Sequence, residues 1–187
     1  MTDVNEVLAA SKVWLQQVVI GLGLCPFAAS PWREGRVEIV VSEAVEPDVI
    51  LTEVVQQLRR LEATPAAELE TTLLVVANGF ADFDDYNQFL DVVDALLEAY
   101  HWQGIFQVAS FHPDYQFAGE APQARSNLTN CAPYPIFHLL REQSISAVAE
   151  QVDDLEAIPE RNIAKLEAMP LVQLQGLFPY IKWLFGA

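Results

Sequence analysis

Hydrophobic residues at the start of the chain recur at helical spacing. Val4, Leu8, Leu15, Val18 and Val19 fall on one stripe, Asp3 and Glu6 offer a capping pair, and Gly21 and Gly23 follow. This predicts a first helix over about the first twenty residues. The period then changes. "RVEIVV", Arg36 to Val41, is β-branched and strand-like, and Ile50, Val54, Val55, Leu58 and Leu61 form a second helical stripe with Pro47 near its start. "TTLLVV", Thr71 to Val76, predicts the next strand, which Asn78 and Gly79 break. Asp82, Asp84 and Asp85 then open a third stripe of Phe89, Leu90, Val93, Leu96, Leu97 and Tyr100; Gly104 ends it, and "IFQVASF" reads as the third strand.

Strand, helix, strand, helix, strand at this spacing implies two successive crossover units, whose flanking strands run parallel. The expected fold class is α/β: a small sheet of at least three parallel strands from successive βαβ units, covered by helices, with an N-terminal helix and a helical C-terminal region. After a loop from Pro113 to Pro133, Pro135 is placed to start a fourth main helix, "IFHLLREQSISAVAEQV", and Pro159 and Pro170 mark two shorter ones. With no repeat and no low-complexity linker, residues 1–187 read as a single domain whose helical extension covers about 150–187.

Charge narrows the partners. The formal net charge is −16, and no Lys or Arg occurs from Leu61 to Ala124. Nucleic acid and anionic membrane surfaces both need clustered cations, so neither is an expected partner. The N-terminus does not read as a secretory signal. The most apolar stretch, "PLVQLQGLFPYIKWLFGA", is interrupted by Gln173, Gln175, Pro179 and Lys182, short of the roughly 20 apolar residues a span needs. A cytoplasmic protein is the expectation. Two cysteines, Cys25 and Cys131, make no disulfide framework, and no C-x-x-C or H-x-x-x-H spacing suggests zinc. Asp82, Asp84 and Asp85 raise the idea of magnesium, but acidic residues in a first helical turn are accounted for by capping. No metal is expected, and no cofactor is indicated.

Parallel sheets bind ligands beyond the carboxyl ends of their strands, which here carry Ser42 and Glu43, Asn78 and Gly79, and then Ser110, His112 and Asp114. His112 is a candidate acid or base because imidazole titrates near neutrality; the alternative is a hydrogen bond that fixes the loop. Arg125, the first cation after a long acidic stretch, and Arg141 are candidate anchors for an anionic ligand, with Ser110, Asn127 and Asn130 beside them. Ordinary turn and salt-bridge roles compete with that reading. On the expected fourth helix His138, Arg141 and Glu142 share one face, so His138 and Glu142 join the catalytic candidates, against a surface salt bridge or a core histidine. Cys25 is the candidate nucleophile, although it follows a helix C-terminus and would need His112 or His138 to activate it across space; a buried, inert thiol is the alternative.

The stretches "GLGLCPFA", "ETTLLVV", "DFDDYNQFLD", "QVASFHPDYQFAG" and "NLTNCAPYPIFHLLRE" together resemble the bacterial domain-of-unknown-function 1415 family, roughly from Val13 to Val148. The resemblance brings no established activity and no catalytic residue. Its pattern coincides with Cys25, Pro26, Glu70, Thr71, Ser110, His112, Pro113, Gln116, Phe117, Asn127, Asn130, Pro133, Pro135, His138, Arg141 and Glu142. Where "TNRSPYP" is expected in the family this chain has "TNCAPYP", so Cys131 and Ala132 stand in place of an arginine and a serine.

Two functions follow. The first is an enzyme acting on a small polar or anionic metabolite, with His112 as acid or base and Arg125 or Arg141 as anchor. The second is a noncatalytic metabolite-binding or protein-interaction domain, for which the aromatic tail Phe178, Tyr180, Trp183 and Phe185 is a partner surface unless it covers the core.

Overall fold

A computed structural model describes residues 2–149 and 157–186. It is a mixed α/β structure with seven α-helices and a four-stranded sheet among those residues. Helix α1 (Val4–Trp14), capped by the Asp3 carboxylate on Asn5 N at 2.9 Å, continues as a π-helix over Leu15–Ile20. A short α2 (Ala29–Arg33) leads to β1 (Val37–Ser42). Then come α3 (Pro47–Ala63), β2 (Thr71–Val76), α4 (Phe83–Ala99) and β3 (Phe106–Phe111). The order of these elements follows the hydrophobic periods of the sequence. Helix α4 closes on His101, at φ 58 in the left-handed region, with Trp102 N donating to Leu97 O at 2.8 Å; Gly104 serves the turn into β3 instead.

The main correction concerns Ile136–Arg141, which is a strand, β4, and not the start of a helix. Only Glu142–Ala149 is helical (α5), and the expected remainder to Val152 lies outside the described residues. The physical reason is that "IFHLL" is a short apolar run whose period cannot separate helix from strand, and here the alternation wins. Phe137 and Leu139 join one core cluster while Ile136 joins the other. Pro135 ends the preceding loop and donates no ladder hydrogen bond; its carbonyl accepts from Val76 N at 2.9 Å.

The sheet order is β1-β2-β4-β3. Only β1 and β2 form a parallel pair, and β4 lies antiparallel to both β2 and β3. The expected sheet of three parallel strands is therefore replaced by a mixed one. The crossover through α4 skips one strand position, and the last strand fills it, pairing His138 with Leu73 on one side and Ala109 on the other.

Two hydrophobic layers cover the sheet. Helices α3 and α4 bury Ile50, Val54, Leu58, Tyr86 and Val93 against Leu74, Val76, Phe137 and Leu139. On the other face Trp14, Leu15 and Val18 pack with Leu73, Val75 and Ile136, joined by α6 (Ile158–Ala168), α7 (Leu171–Leu177) and a 3-10 turn (Lys182–Phe185). Phe178, Ile181 and Leu184 are buried in this layer, so most of the C-terminal segment is core, with Phe185 left exposed. No described helix is long and apolar enough to cross a membrane.

Candidate functional site

The candidates from the sequence separate into distinct places. His112 is 1% exposed, lies 5.3 Å from the rings of both Phe83 and Tyr86, and has both ring nitrogens engaged. Asp114 N donates to Nδ1 at 3.0 Å, so Nε2 carries the proton and donates to Phe80 O at 2.9 Å. Phe80 has φ 54, unfavourable for a residue with a side chain, and His112 anchors its carbonyl. Burial lowers the His112 pKa against the opposing bond to Phe80. The ring thus joins the exit of β3 to the exit of β2. We expect His112→Ala to cost roughly 2–4 kcal/mol, from the unpaired Phe80 carbonyl plus the space left behind, as read from urea denaturation midpoints.

Arg125 lies in a 3-10 turn (Arg125–Thr129) and donates to Glu167 O at 2.8 Å and Met169 O at 2.9 Å, closing the C-terminal end of α6. Asn127 holds its own loop, accepting from Phe117 N at 3.0 Å and donating to Ala121 O at 2.9 Å. Asn130 donates to Ser110 O at 3.0 Å, and the Ser110 hydroxyl meets Tyr115 at 3.4 Å. Arg141 donates to Leu61 O and Thr64 O at the end of α3 and to Leu69 O just before β2. Glu142 opens α5, its N–H bonded to Ile105 O at 3.0 Å. His138, Arg141 and Glu142 do not share a helical face, because the first two belong to a strand, three positions apart and so on opposite sides of the sheet.

Three candidates do meet. Cys25, His138 and Arg141 line a cavity of about 300 Å³ at the amino ends of β1 and β2, the end opposite to the strand exits that carry His112. Antiparallel β4 explains this placement, since it delivers its carboxyl end, and with it His138, to that side. Val37, Thr71, Leu73, His138 and Leu140 are contributed by the sheet, Leu15 by the π-helix and Ser144 by α5. The segment after the π-helix brings Cys25, Pro26 and Phe27 over the top. π-Helical turns recur at functional sites, and this one is held by a Gly21 N bond to Gln16 O at 2.9 Å.

The protonation of His138 follows from its neighbours. Thr71 Oγ1 spends its single proton on Leu139 O at 2.6 Å, so towards His138 Nε2, 2.8 Å away, it can only accept. Nε2 therefore carries the proton, and Nδ1 offers a lone pair that receives no hydrogen bond among the described residues. Burial pushes the His138 pKa down to about 4, keeping the ring neutral. Beside it, Glu70 pairs with Arg36 through Oε2, while Glu70 Oε1 is buried and receives no hydrogen bond from a described residue. Burial also raises the Cys25 thiol, against backbone hydrogen bonds at Phe27 and Ala28 that lower it. The site thus presents two unmatched acceptors, one unmatched donor in Arg141 Nε, a protonated thiol and apolar walls.

A family model described as "Protein of unknown function (DUF1415)" matches residues 6–175. The chain belongs to this family. No curated protein and no solved structure matches it. The DUF1415 match includes every residue that lines the 300 Å³ cavity. In this DUF1415 member the Cys131–Ala132 pair is buried, with the Cys131 thiol pushed up to about 12 by desolvation and its carbonyl accepting from Trp14 Nε1 at 2.9 Å. No group of three or more His, Cys, Asp or Glu is placed to hold a metal ion among the described residues. Asp82 instead caps α4, accepting from Asp84 N at 2.8 Å and Asp85 N at 3.3 Å.

Glu70, Thr71 and Arg36 lie at the strand starts, away from the exits expected to hold a ligand, and join the cavity there. Their signal was present: "ETT" leads into an otherwise apolar strand, and a threonine buried there needs a partner. The partner is His138, far along the chain, which only the sheet order reveals.

Proposed function

We propose that this protein binds a compact, largely apolar small molecule that carries a hydrogen-bond donor, an amine or a hydroxyl, in the cavity between His138, Glu70 and Cys25. The observation that carries the reading is the buried Glu70 Oε1, which no described residue satisfies, with the free lone pair of His138 Nδ1 in the same cavity. A buried acceptor without a donor is costly, and a ligand donor removes that cost. An apolar pocket with a few convergent polar groups is the usual form of a small-molecule site. The net charge of −16 adds a long-range preference for a cation over an anion. Of the expected anion anchors, Arg125 is not among the residues lining this cavity and holds Glu167 O and Met169 O, while Arg141 lines it with Nη2 committed to backbone carbonyls and a buried Nε that no described residue accepts from.

Binding is favoured over nucleophilic catalysis by the state of the two reactive groups. Burial raises the thiol and lowers the imidazole, so proton transfer from Cys25 to His138 runs uphill and the resting pair is neutral. Isothermal titration with benzylamine and benzoate tests the reading. We expect benzylamine to bind and benzoate not to, and His138→Leu to weaken benzylamine roughly tenfold, the loss of about one good hydrogen bond. Equal affinity for the two probes, or an unchanged dissociation constant in His138→Leu, overturns it.

A further inference from the structure

A second cavity, of about 500 Å³, adjoins the first, and Cys25 lines both. Its walls come from the π-helix (Val19), the exit of β3 (Phe111), the long loop (Phe117) and α6 (Ile158, Ile163), with Leu24 beside Cys25. The π-helix therefore supplies one apolar side chain to each space, Leu15 to the smaller and Val19 to the larger.

The polar residues around the larger cavity are matched by the protein itself. Ser126 Oγ donates to Glu120 at 3.0 Å, Thr129 Oγ1 to Ser126 O at 2.9 Å, Asn130 Nδ2 to Ser110 O at 3.0 Å and Asn162 Nδ2 to Leu24 O at 2.8 Å. Satisfied polar groups surrounded by Val, Leu, Ile and Phe ask nothing of a ligand but apolar surface. The smaller cavity is the reverse case, with Glu70 Oε1, His138 Nδ1 and Arg141 Nε left unmatched by described residues. The two are thus complementary in chemistry and share a wall of one small side chain.

We infer that the two cavities form one elongated site for an amphipathic ligand, a linear alkyl chain ending in a hydrogen-bond-donating head such as a primary amine. The head lies at His138 and Glu70, the chain passes Cys25, and its far end fills the cavity beneath Phe111 and α6. This deepens the binding reading above and rests on it. Cys25 sets the width of the passage, which makes its size a determinant of the chain length accepted.

The experiment is a titration of the full chain with 1-aminoalkanes from propylamine to decylamine, each below its micelle concentration, at pH 7. Expected is a dissociation constant that tightens by about fourfold per added methylene once the chain passes Cys25, the ratio equivalent to about 0.8 kcal/mol per buried CH₂. In Cys25→Phe the ratio of propylamine to decylamine dissociation constants is expected to collapse towards one. Ala118→Trp, at an exposed position on the rim of the larger cavity, is a second variant that leaves the core untouched and is expected to cut the same ratio at least tenfold. Propylamine binding that requires His138 but shows no gain with chain length overturns the elongated site while leaving the binding reading in place. No binding of any alkylamine overturns both, and a chain-length gain unaltered in both variants overturns the assignment of the tail to this cavity.

Discussion

Replacing Arg141 by Ala is expected to remove roughly 3–5 kcal/mol of folding stability, the largest effect of any single substitution proposed for this protein. Its Nη2 gathers three carbonyls, Leu61 O in the last turn of α3, Thr64 O at its cap and Leu69 O just before β2. Its guanidinium carbon lies 6.0 Å from the centre of the Phe106 ring. One side chain at the end of β4 thus ties together the end of a helix, the lead into a central strand and the start of β3. The group is half-buried and makes all three bonds from one planar nitrogen, a geometry that a water of the same position reproduces only in part. Thr64 N still reaches Leu61 O at 3.2 Å, which keeps the loss finite. Arg141→Lys restores a charge but not the planar fork, and recovers only part of the stability. Urea denaturation of wild type and both variants checks the ordering; an Ala variant within 1 kcal/mol of wild type is incompatible with this role.

The second large effect is a loss of stability in mild acid that depends on His138. The folded ring stays neutral down to about pH 4, whereas in the unfolded chain it accepts a proton near 6.5. Between those values the unfolded state binds more protons, so stability falls as pH falls through the window, and below about 4 the folded ring also protonates and the loss stops growing. The full difference amounts to about 3 kcal/mol. His112, also lowered by burial, pushes in the same direction. Protonation of carboxylates in so acidic a chain pushes the other way by relieving repulsion, so the measurement must be a difference. His138→Gln keeps a donor towards Thr71 and cannot titrate. Its denaturation midpoint is expected to fall less steeply than wild type from pH 6.5 to 4, and parallel profiles would contradict a buried neutral imidazole.

Much of the fold was legible along the chain, and the reason is local. Helices α3 and α4 carry uninterrupted stripes, and β2 is apolar on both sides because helices cover both its faces. What was not legible is β4, where six residues admit both periods and where the partners Thr72–Val75 and Phe106–Phe111 come from earlier in the chain. That single element relocates the site. Read as a helix, it places His138 beside Arg141 and Glu142; read as a strand, it sets His138 against Thr71 and starts Arg141 on the other face, beside Phe106, from where it still lines the same cavity. The residue types were therefore recognisable, since Cys25 and His138 stand among the candidates, but their company was not. His112, Arg125 and Asn127 were recognisable as unusual for a related reason: polar groups that organise backbone in a long loop resemble, in one dimension, polar groups that await a ligand.

The late position of β4 has a consequence for synthesis. A nascent chain that has emerged only through Phe111 carries β2 and β3 with their facing edges unpaired, separated by a gap of one strand. Before β4 arrives those edges carry unpaired backbone groups beside the apolar side chains of β2, features that invite pairing with another chain. The sheet can be zipped shut only after Arg141 has left the ribosome, so completion of the fold is a late, long-range event, and the interval before it is when this protein most needs shielding by chaperones.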